Sequence, residues 1–322
     1  MRYRTIGTGD RAIEVSTLCL GTMNYGTLVD PATSEAILDR FVEAGGTFLD
    51  TANNYAVWHG GHGRDSEDLI GGWLAARRHR DHVRIATKVG AGPRDRGLPF
   101  TPDNFEGLGA GVIEAEAHKS MRHLGTDHLD VLYGHVDDRD TPLAETVGAL
   151  GKLQAEGAVG LTGISNVTLW RLVEARAEAE RQGVPPYAVV QQQHSYVYPR
   201  PTSRPWVSRD LLDYAASTGT PGRPSLTVVG YGPLQAGALM RDDKGLYHDA
   251  DHPGSVHRVR VLREVAREIG ATPAQVALAW MMGGEVPVIP VTGPSSVEQL
   301  DELLGAVHLD LPQEVRTRLD AA

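Results

Sequence analysis

Residues 129–164 read LDVLYGHVDDRDTPLAETVGALGKLQAEGAVGLTGI. Two short apolar runs, 129–133 and 159–164, enclose a segment whose apolar residues recur with helical spacing. Thr141 is predicted to cap that helix, and Pro142 is predicted to be its first residue. The backbone N–H groups of a first helical turn have no partner within the helix, so proline, which has no N–H, is tolerated there. Short apolar strands of this kind suit a parallel sheet that is buried on both faces. The stretch therefore predicts a strand–helix–strand unit.

The same alternation extends along the rest of the chain. The other strand-like runs are 17–20, 47–50, 83–88, 188–191, 226–230 and 286–289. Gly45 ends the first predicted helix, and residue 65 or 66 opens the second. The last predicted helix begins at Ser296, with Gln299 as its capping-box partner. Eight strand–helix units predict either a closed barrel or an open doubly wound sheet.

A hairpin is predicted before the first of these strands. The stretch 3–15 holds two strand-like pieces around Thr8-Gly9-Asp10, a sequence that favours a turn. No linker, low-complexity segment or further repeat interrupts the remaining chain. Residues 1–322 are therefore predicted to fold as a single domain, a size that α/β barrels commonly reach.

The composition disfavours several classes of protein. The chain carries a net charge of −10, which is unfavourable for binding nucleic acid or an anionic membrane. Its one cysteine, Cys19, has no partner for an intrachain disulfide, in keeping with a reducing compartment. The N-terminus lacks the apolar region of a signal peptide, and no apolar run approaches the roughly 20 residues that cross a bilayer. We therefore expect a soluble, cytoplasmic protein with no nucleic-acid or membrane partner.

Polar residues stand at the carboxyl ends of the predicted strands. They are Asp50, Lys88, His135, Ser165, Asn166, Gln191 and Tyr231. The strand ends of a barrel converge on one face, and active sites are built there. We therefore expect these residues to share one pocket, although they are far apart in sequence.

Four residues predict an acid–base centre in that pocket. A tyrosine has a pKa of about 10, which is high for a proton donor at neutral pH. A nearby ammonium favours the phenolate, and a carboxylate can hold that ammonium in place. Tyr55, Lys88 and Asp50 supply these three groups. His135 can orient a carbonyl oxygen. Because the hydride of a reduction has to come from a cofactor, the centre predicts a cofactor-binding enzyme.

Three further residues suit a nicotinamide ring. Asn166 and Gln191 can hold its carboxamide, and Tyr231 can stack on the ring. Gln192 and Gln193 follow directly, so three glutamines compete for one position. We choose Gln191 because it ends the apolar run.

Taken in order along the chain, these motifs resemble the aldo-keto reductases. The matching pieces are Leu20-Gly21-Thr22-Met23, Asp50-Thr51-Ala52-Asn53-Asn54-Tyr55, Thr87-Lys88, the run from Leu124 to His135, Gly163-Ile164-Ser165-Asn166, Tyr231-Gly232-Pro233-Leu234 and the segment from Ile289 to Glu302. The resemblance covers nearly the whole chain and is nearest to the bacterial and potassium-channel-beta-like branch. It implies a (β/α)8 TIM barrel with an N-terminal β-hairpin that uses NADP(H) to reduce a small aldehyde or ketone. The catalytic residues it implies are Asp50, Tyr55 as general acid, Lys88 and His135.

The resemblance also implies a cofactor site without a Rossmann domain. Its residues would be Gly21, Thr22, Met23, Ser165, Asn166, Gln191, Tyr231, Gly232, Pro233, Leu234, Gly293, Ser295, Gln299 and Glu302. Ser295 and Ser296 stand where many relatives carry the Arg or Lys that grips the 2′-phosphate, so NAD(H) stays open beside NADP(H). Gly232 replaces a serine of the family, and Ala56 replaces the glycine that usually follows the catalytic tyrosine.

Two other interpretations stay open. Some relatives are cofactor-binding regulatory subunits of potassium channels with slow turnover, and these also keep the catalytic residues. Lys88 alone suits a Schiff-base lyase, although that interpretation leaves Asp50 and Tyr55 unexplained. His59 and His62 lie in a glycine-rich loop with no cysteine or carboxylate joining them, so no metal site is predicted.

The loops that would bind a carbonyl substrate carry no motif that identifies it. They are predicted at 57–64, 91–103, 196–206 and 234–253. The candidates for an apolar cleft in or beside these loops are Trp58, Tyr196, Tyr198 and Trp206. The oligomeric state is likewise not predictable from the sequence.

Overall fold

The computed structural model describes residues 1–200, 205–247 and 249–322. Two of the predicted substrate loops, 196–206 and 234–253, therefore lie partly outside the described residues. At the amino end, strands β1 (Tyr3–Ile6) and β2 (Ile13–Ser16) pair in antiparallel fashion. This pairing confirms the predicted N-terminal hairpin.

Eight further strands of the described chain run parallel and close into a barrel. They are β3 (Cys19–Gly21), β4 (Phe48–Asp50), β5 (Arg84–Val89), β6 (Leu129–Gly134), β7 (Val159–Ser165), β8 (Val189–Gln193), β9 (Thr227–Tyr231) and β10 (Ile289–Thr292). Neighbours follow chain order from β3 to β9, and β10 pairs with both β9 and β3. The predicted (β/α)8 barrel is thereby confirmed, and the open doubly wound sheet is excluded.

Helices connect the strands and surround the barrel. They are α1 (Pro31–Glu43), α2 (Asp65–Arg77), α3 (Ala110–Leu124), α4 (Leu143–Ala155), α5 (Leu169–Gln182), α6 (Arg209–Ala216), α7 (Pro253–Glu268), α8 (Pro273–Met282), α9 (Val297–Leu304) and α10 (Gln313–Asp320). Local rules explain the first of them: the Asp30 carboxylate accepts a hydrogen bond from the Thr33 N–H, and Gly45 takes a left-handed φ of 82° just beyond its end. None of the described helices is both long and apolar enough to cross a membrane.

The position of the last barrel strand was predicted wrongly. The apolar run 286–289 indicated a strand there, whereas β10 starts at Ile289, the final residue of that run, and continues through Pro290. Proline lacks the donor of a strand ladder and so reads as a breaker in sequence. In the barrel it still pairs with Gly230 of β9, and its neighbours hold the strand on both sides.

The start of α4 is also displaced from its prediction. Pro142 is the cap, and the helix begins one residue later. The Thr141 hydroxyl, which was expected to cap the helix, donates to Asp138 Oδ2 at 2.6 Å. A carboxylate acceptor in the preceding loop has therefore replaced the helix N–H groups as the partner of this side chain.

The hairpin closes the amino end of the barrel. Ile6 and Val15 of the hairpin are fully buried, and they cluster with inward-facing residues such as Cys19, Phe48 and Val131. A larger apolar cluster fills the space between the strands and the helices. The carboxyl end is left for polar side chains, which is where the active sites of such barrels lie.

Candidate active site

Asp50, Tyr55 and Lys88 form a buried triad at the carboxyl ends of β4 and β5. The Lys88 ammonium donates to Asp50 Oδ1 at 2.5 Å, to the Tyr55 hydroxyl oxygen at 2.6 Å and to the Thr51 carbonyl oxygen at 2.9 Å. The Tyr55 hydroxyl donates to Asp50 Oδ1 at 3.1 Å. Lys88 and Asp50 are each 1% exposed, so the ion pair is almost sealed from water. The structure thus brings together three residues that were predicted from separate motifs.

The Tyr55 phenol keeps its proton in this arrangement. Burial, followed by the charge of Asp50, raises the pKa of Tyr55 well above its usual value of 10. Desolvation and the Asp50 carboxylate both oppose ionisation of this phenol, and the expected contribution of the Lys88 ammonium in favour of the phenolate stays a prediction. Lys88 still donates to the phenol oxygen, so it is placed to stabilise the negative charge as the proton leaves.

His135 follows β6 and lies beside the triad. Its ring centroid is 6.2 Å from that of Tyr55, and its backbone N–H donates to the Val89 carbonyl oxygen at 2.8 Å. Burial, followed by the charge of Lys88, lowers the pKa of His135 well below its usual 6.5, so the imidazole is neutral at pH 7. Within the described chain its buried Nδ1 has no hydrogen-bond partner. A buried nitrogen left without a partner is costly, which suits a polar ligand group nearby.

Ser165, Asn166 and Tyr231 also come together, at the ends of β7 and β9. Asn166 has a left-handed φ of 57°, a conformation that asparagine adopts more readily than most residues. Its Nδ2 donates to the His135 carbonyl oxygen at 2.9 Å and to Ser165 Oγ at 3.1 Å. The Tyr231 hydroxyl donates to Asn166 Oδ1 at 2.7 Å. This cluster continues the polar surface that begins at the triad.

The three consecutive glutamines of β8 do not share one environment. Gln191 Nε2 donates to Asp50 Oδ2 at 2.7 Å, inside the barrel. Gln192 Nε2 donates to the Val167 carbonyl oxygen at 2.5 Å. Because side chains alternate along a strand, Gln193 shares the face of Gln191. Gln191 therefore contacts the triad, in a role that the sequence did not indicate: it binds the second oxygen of the Asp50 carboxylate.

The segment after β3 lies next to the triad, but only part of it is open. Thr22 is fully buried, and its hydroxyl donates to the Asp50 carbonyl oxygen at 2.9 Å, so its side chain supports the triad from behind. Gly21 is closely packed, since a Cβ there would lie 2.8 Å from a methyl group of Val291. Met23 is 43% exposed and is the side chain of this segment that can reach a ligand.

The turn after β9 explains why glycine stands at position 232, where the resemblance led us to expect serine. Gly232 has a left-handed φ of 66°, which favours glycine over the usual serine. A Cβ there would lie 3.6 Å from the Tyr247 ring. The Pro233 carbonyl oxygen accepts from Ser195 Oγ at 2.9 Å, and Leu234 packs against the apolar core.

The last part of the predicted cofactor site, from Gly293 to Glu302, lies before and within α9. Gly293 packs against β3, because a Cβ there would lie 3.2 Å from a carbonyl oxygen of that strand. Ser296 caps α9 by accepting from the Gln299 N–H at 3.3 Å. The Gln299 side chain accepts from the Ser295 N–H at 2.9 Å, so the second half of the predicted capping box is wrong. Glu302, in the same helix, is partly exposed.

Aromatic rings from two loops meet beside Tyr55. The Trp58 ring lies 6.3 Å from that of Tyr55 and 5.5 Å from that of Phe100. Phe100 in turn lies 5.0 Å from Phe105. Trp58 is 39% exposed, so this aromatic wall (Trp58, Phe100 and Phe105) borders the approach to the triad.

Tyr196 is not a cleft residue, contrary to expectation. It is fully buried, its hydroxyl donates to the Leu319 carbonyl oxygen at 2.8 Å, and the Arg258 guanidinium lies 4.1 Å from its ring. Tyr198 covers the same guanidinium at 4.4 Å, and its ring lies 5.9 Å from that of Trp206 with the two planes inclined at 57°. These aromatics pack around an arginine, which their loop position could not indicate.

The histidine-containing loop 57–64 makes contacts of another kind. His62 Nε2 lies 3.3 Å from Asp65 Oδ1, and His59 lies edge-on to Trp58 at 6.1 Å. Over the ranges that the structure describes, no group of three or more His, Cys, Asp or Glu is placed to hold a metal ion.

A buried ion-pair cluster behind the triad escaped prediction. Arg64, Glu67 and Glu116 form its centre, and it reaches Thr87 and Asn53 beside the triad. Asn53 and Glu116 are 63 positions apart, so no local pattern connects them. The sequence did mark the start of α2, next to Arg64, but we interpreted residue 65 or 66 only as the point where a helix begins.

Known proteins similar to this chain are oxidoreductases. The model of the Aldo/keto reductase family matches residues 17–322. The uncharacterized oxidoreductase YrpG of Bacillus subtilis is 33% identical over 99% of this chain and 95% of its own length. Norsolorinic acid reductase A of Aspergillus parasiticus is 31% identical over 99% of this chain and 81% of its own length. An aryl-alcohol dehydrogenase of Pestalotiopsis microspora is 29% identical, with 94% and 77% covered.

Proposed function

Because the chain belongs to the aldo/keto reductase family, we propose that it uses NADPH to reduce the carbonyl group of an aldehyde or ketone. The family and the relatives support the broader statement that it is an oxidoreductase acting on carbonyl compounds. The observation that carries the finer proposal is the buried contact among Tyr55, Lys88 and Asp50 beside a neutral His135. A bound reduced nicotinamide supplies the hydride, and the residues of the chain handle the proton.

Tyr55 is the proposed general acid. Its phenol holds a proton at neutral pH, and a carbonyl oxygen that gains negative charge is a strong acceptor for that proton. As the proton leaves, the phenolate oxygen keeps the 2.6 Å hydrogen bond from the Lys88 ammonium. Asp50 holds Lys88 in place at 2.5 Å, and the Tyr55 O–H turns from Asp50 towards the carbonyl oxygen, so the proton is transferred without moving a heavy atom of the triad.

His135 is proposed to orient the substrate. A neutral imidazole can donate one hydrogen bond to a carbonyl oxygen without adding a second positive charge beside Lys88. The carbonyl would then point its oxygen towards Tyr55, whose ring lies 6.2 Å from the imidazole. Positioning of this kind is a large part of what enzymes contribute to a two-reactant step.

The residues at the mouth fit a nicotinamide dinucleotide. Tyr231 offers a partly exposed ring and Asn166 an amide at the strand ends. Gly293 has no side chain, so its backbone stays uncovered where a Cβ would contact β3. The backbone N–H groups at the start of α9 suit a phosphate. Ser295 and Ser296 bring no cation for a 2′-phosphate, which keeps NADH as the alternative to NADPH.

The aromatic wall supports a substrate with an apolar, ring-containing side. Trp58 and Phe100 present their rings next to the proposed acid, and flat groups pack well against such surfaces. Two of the similar proteins are named for norsolorinic acid and for aryl alcohols. We therefore propose aromatic aldehydes or ketones as the first substrates to test.

A Schiff-base lyase receives no support from the environment of Lys88. All three of its hydrogen-bonding directions are taken, and the side chain is 1% exposed. A nucleophilic amine has to be neutral and accessible, and this lysine sits against a carboxylate. The interpretation as a regulatory subunit is decided by turnover, which the following assay measures.

The test is NADPH oxidation, followed by absorbance, with nitrobenzaldehyde and methylglyoxal. Tyr55→Phe should lower the rate about 100-fold or more while cofactor binding is kept, since general acids contribute roughly 10²–10⁴-fold. Tyr187→Phe is the matched control, because the buried Tyr187 hydroxyl has no partner in the described chain. A Tyr55→Phe variant as active as the wild type would refute the acid assignment. Cofactor binding without reduction of any aldehyde would favour the regulatory subunit, and repeating the assay with NADH decides between the cofactors.

A further inference from the structure

A charged cluster with little exposure lies behind the triad. Arg64, which precedes α2, donates to Glu67 Oε2 at 2.6 Å, to Ser120 Oγ at 2.9 Å and to Glu116 Oε2. The Glu67 side chain is fully buried, and those of Arg64 and Glu116 are 10% and 11% exposed. We call Arg64, Glu67 and Glu116 the Arg64 cluster.

A lysine at the surface offsets the second carboxylate of the Arg64 cluster. Glu116 Oε1 accepts from the Lys119 ammonium at 2.5 Å, so two carboxylates face two cations. Burying ion pairs adds little stability compared with apolar packing of the same volume. Their hydrogen bonds are directional, however, and the guanidinium fork fixes several partners at once. A cluster of this type is suited to hold neighbouring segments in one geometry.

One contact of the cluster reaches the strand that carries Lys88. Glu67 Oε1 accepts from the Thr87 hydroxyl at 2.6 Å. Thr87 directly precedes Lys88 in β5, and successive side chains of a strand point to opposite faces. Thr87 therefore points out of the barrel while Lys88 points in. Fixing the outer side chain fixes the rotation of the strand, and with it the direction of the ammonium.

A second contact reaches the segment that carries Tyr55. Asn53 Nδ2 donates to Glu116 Oε2 at 3.2 Å, and Asn53 stands two residues before Tyr55. The Asn53 N–H also donates to the Lys88 carbonyl oxygen at 3.0 Å. The segment is thus tied to β5 directly and through the cluster.

We propose that Arg64 is a positioning residue, which joins the Tyr55 segment to the Lys88 strand through Glu116 on one side and Glu67 on the other. The inference rests on the proposed function, because Tyr55 and Lys88 are catalytic only within it. Arg64 touches neither substrate nor cofactor. It maintains the 2.6 Å hydrogen bond between the ammonium and the phenol oxygen, which the proton transfer uses.

Thr87→Val tests the contact with β5, since valine has nearly the shape of threonine and lacks the hydroxyl. We expect kcat for an aldehyde to fall about tenfold, as for loss of a hydrogen bond to a charged group. The solvent deuterium isotope effect on kcat should rise, because transfer of the Tyr55 proton becomes slower. Thr87→Ser, which keeps the hydroxyl, should restore the rate. Arg64→Lys, which keeps the charge and loses the fork, should lower kcat as well.

Thr162→Val is the matched control. Thr162 is a buried threonine of β7, and its hydroxyl donates at 3.4 Å to Gln154 of α4, outside the barrel. It should keep the wild-type kcat and isotope effect. If Thr87→Val also keeps both, or if Thr162→Val loses as much activity, the positioning role is overturned.

Amide hydrogen exchange gives a readout that needs no turnover. The Thr51 and Asn53 N–H groups donate to carbonyl oxygens of β5, at 2.8 Å and 3.0 Å. Their exchange should accelerate in Thr87→Val and stay unchanged in Thr162→Val. A wild type that reduces no carbonyl would overturn the proposed function, and the exchange result would then decide the positioning role separately. Unchanged exchange in Thr87→Val would overturn it.

Discussion

Removing one charge of the Lys88–Asp50 ion pair should lower the free energy of unfolding strongly, because the other charge stays buried without its counter-charge. Both side chains are 1% exposed, and Nζ lies 2.5 Å from Oδ1. In Lys88→Met, the Asp50 carboxylate keeps the Tyr55 hydroxyl and the Gln191 amide as donors but loses its counter-charge. Leaving a buried charge unpaired in this way costs about 3–5 kcal/mol of the free energy of unfolding.

Removing both charges should be much less harmful. Asp50→Asn keeps the shape of the carboxylate, and Met fills most of the volume of the lysine chain, so the double variant leaves no unpaired charge. We expect its loss of stability to be smaller than the sum of the two single losses by at least about 2 kcal/mol. All three variants should lose carbonyl reduction, because each lacks part of the proton-donating triad.

The assay is urea unfolding without cofactor, followed by tryptophan fluorescence and circular dichroism. Cofactor is left out because a ligand that binds the folded state would add its own stabilisation. Strictly additive losses in the Lys88→Met and Asp50→Asn variants would refute the reasoning, since they would show that the two charges do not depend on each other.

Two further predictions concern stability. Gly71→Ala and Gly72→Ala should act in opposite directions: a Cβ at Gly71 collides with the His123 carbonyl oxygen and should cost about 2–3 kcal/mol, whereas Gly72 faces open space and alanine there should add about 0.5–1 kcal/mol. Equal melting temperatures for the two variants would contradict this packing of α2 on α3. Burial, followed by the charge of Arg258, lowers the pKa of His194 from 6.5 to about 4, so below pH 6.5 the unfolded chain binds a proton that the folded chain does not. Stability should therefore fall by up to about 3 kcal/mol from pH 6.5 to pH 4, and His194→Gln should flatten that dependence of the urea midpoint; an identical slope in the variant would exclude His194 as the cause.

The barrel and the triad were predictable because each rests on a local signal. Short apolar runs alternate with helical segments, and this rhythm survives errors of a few residues at the ends of elements. Asp50 and Lys88 of the triad stand at strand ends, as does His135 beside it, and a closed parallel barrel brings all strand ends to one face. Their proximity then needs no knowledge of the individual contacts.

The features that were missed depend on contacts between distant segments. Pro290 can lie inside β10 because this strand pairs with β9 on one side and β3 on the other, and no local sequence pattern reveals that pairing. Gln191 binds Asp50 across the barrel, 141 positions away in sequence. Arg64 meets Glu116 through the packing of α2 on α3. The net effect of charge and burial on the Tyr55 proton likewise required the surrounding side chains.

The hairpin at the amino end has a consequence for the order of events in turnover. Because the hairpin and the packed barrel interior close the amino end, the proposed cofactor and carbonyl substrate both have to enter and leave at the carboxyl end. The molecule that binds deeper has to enter first and leave last, because the other one lies between it and the opening. Steady-state kinetics should then show an ordered mechanism, and the product-inhibition patterns should reveal the order in which the two products leave.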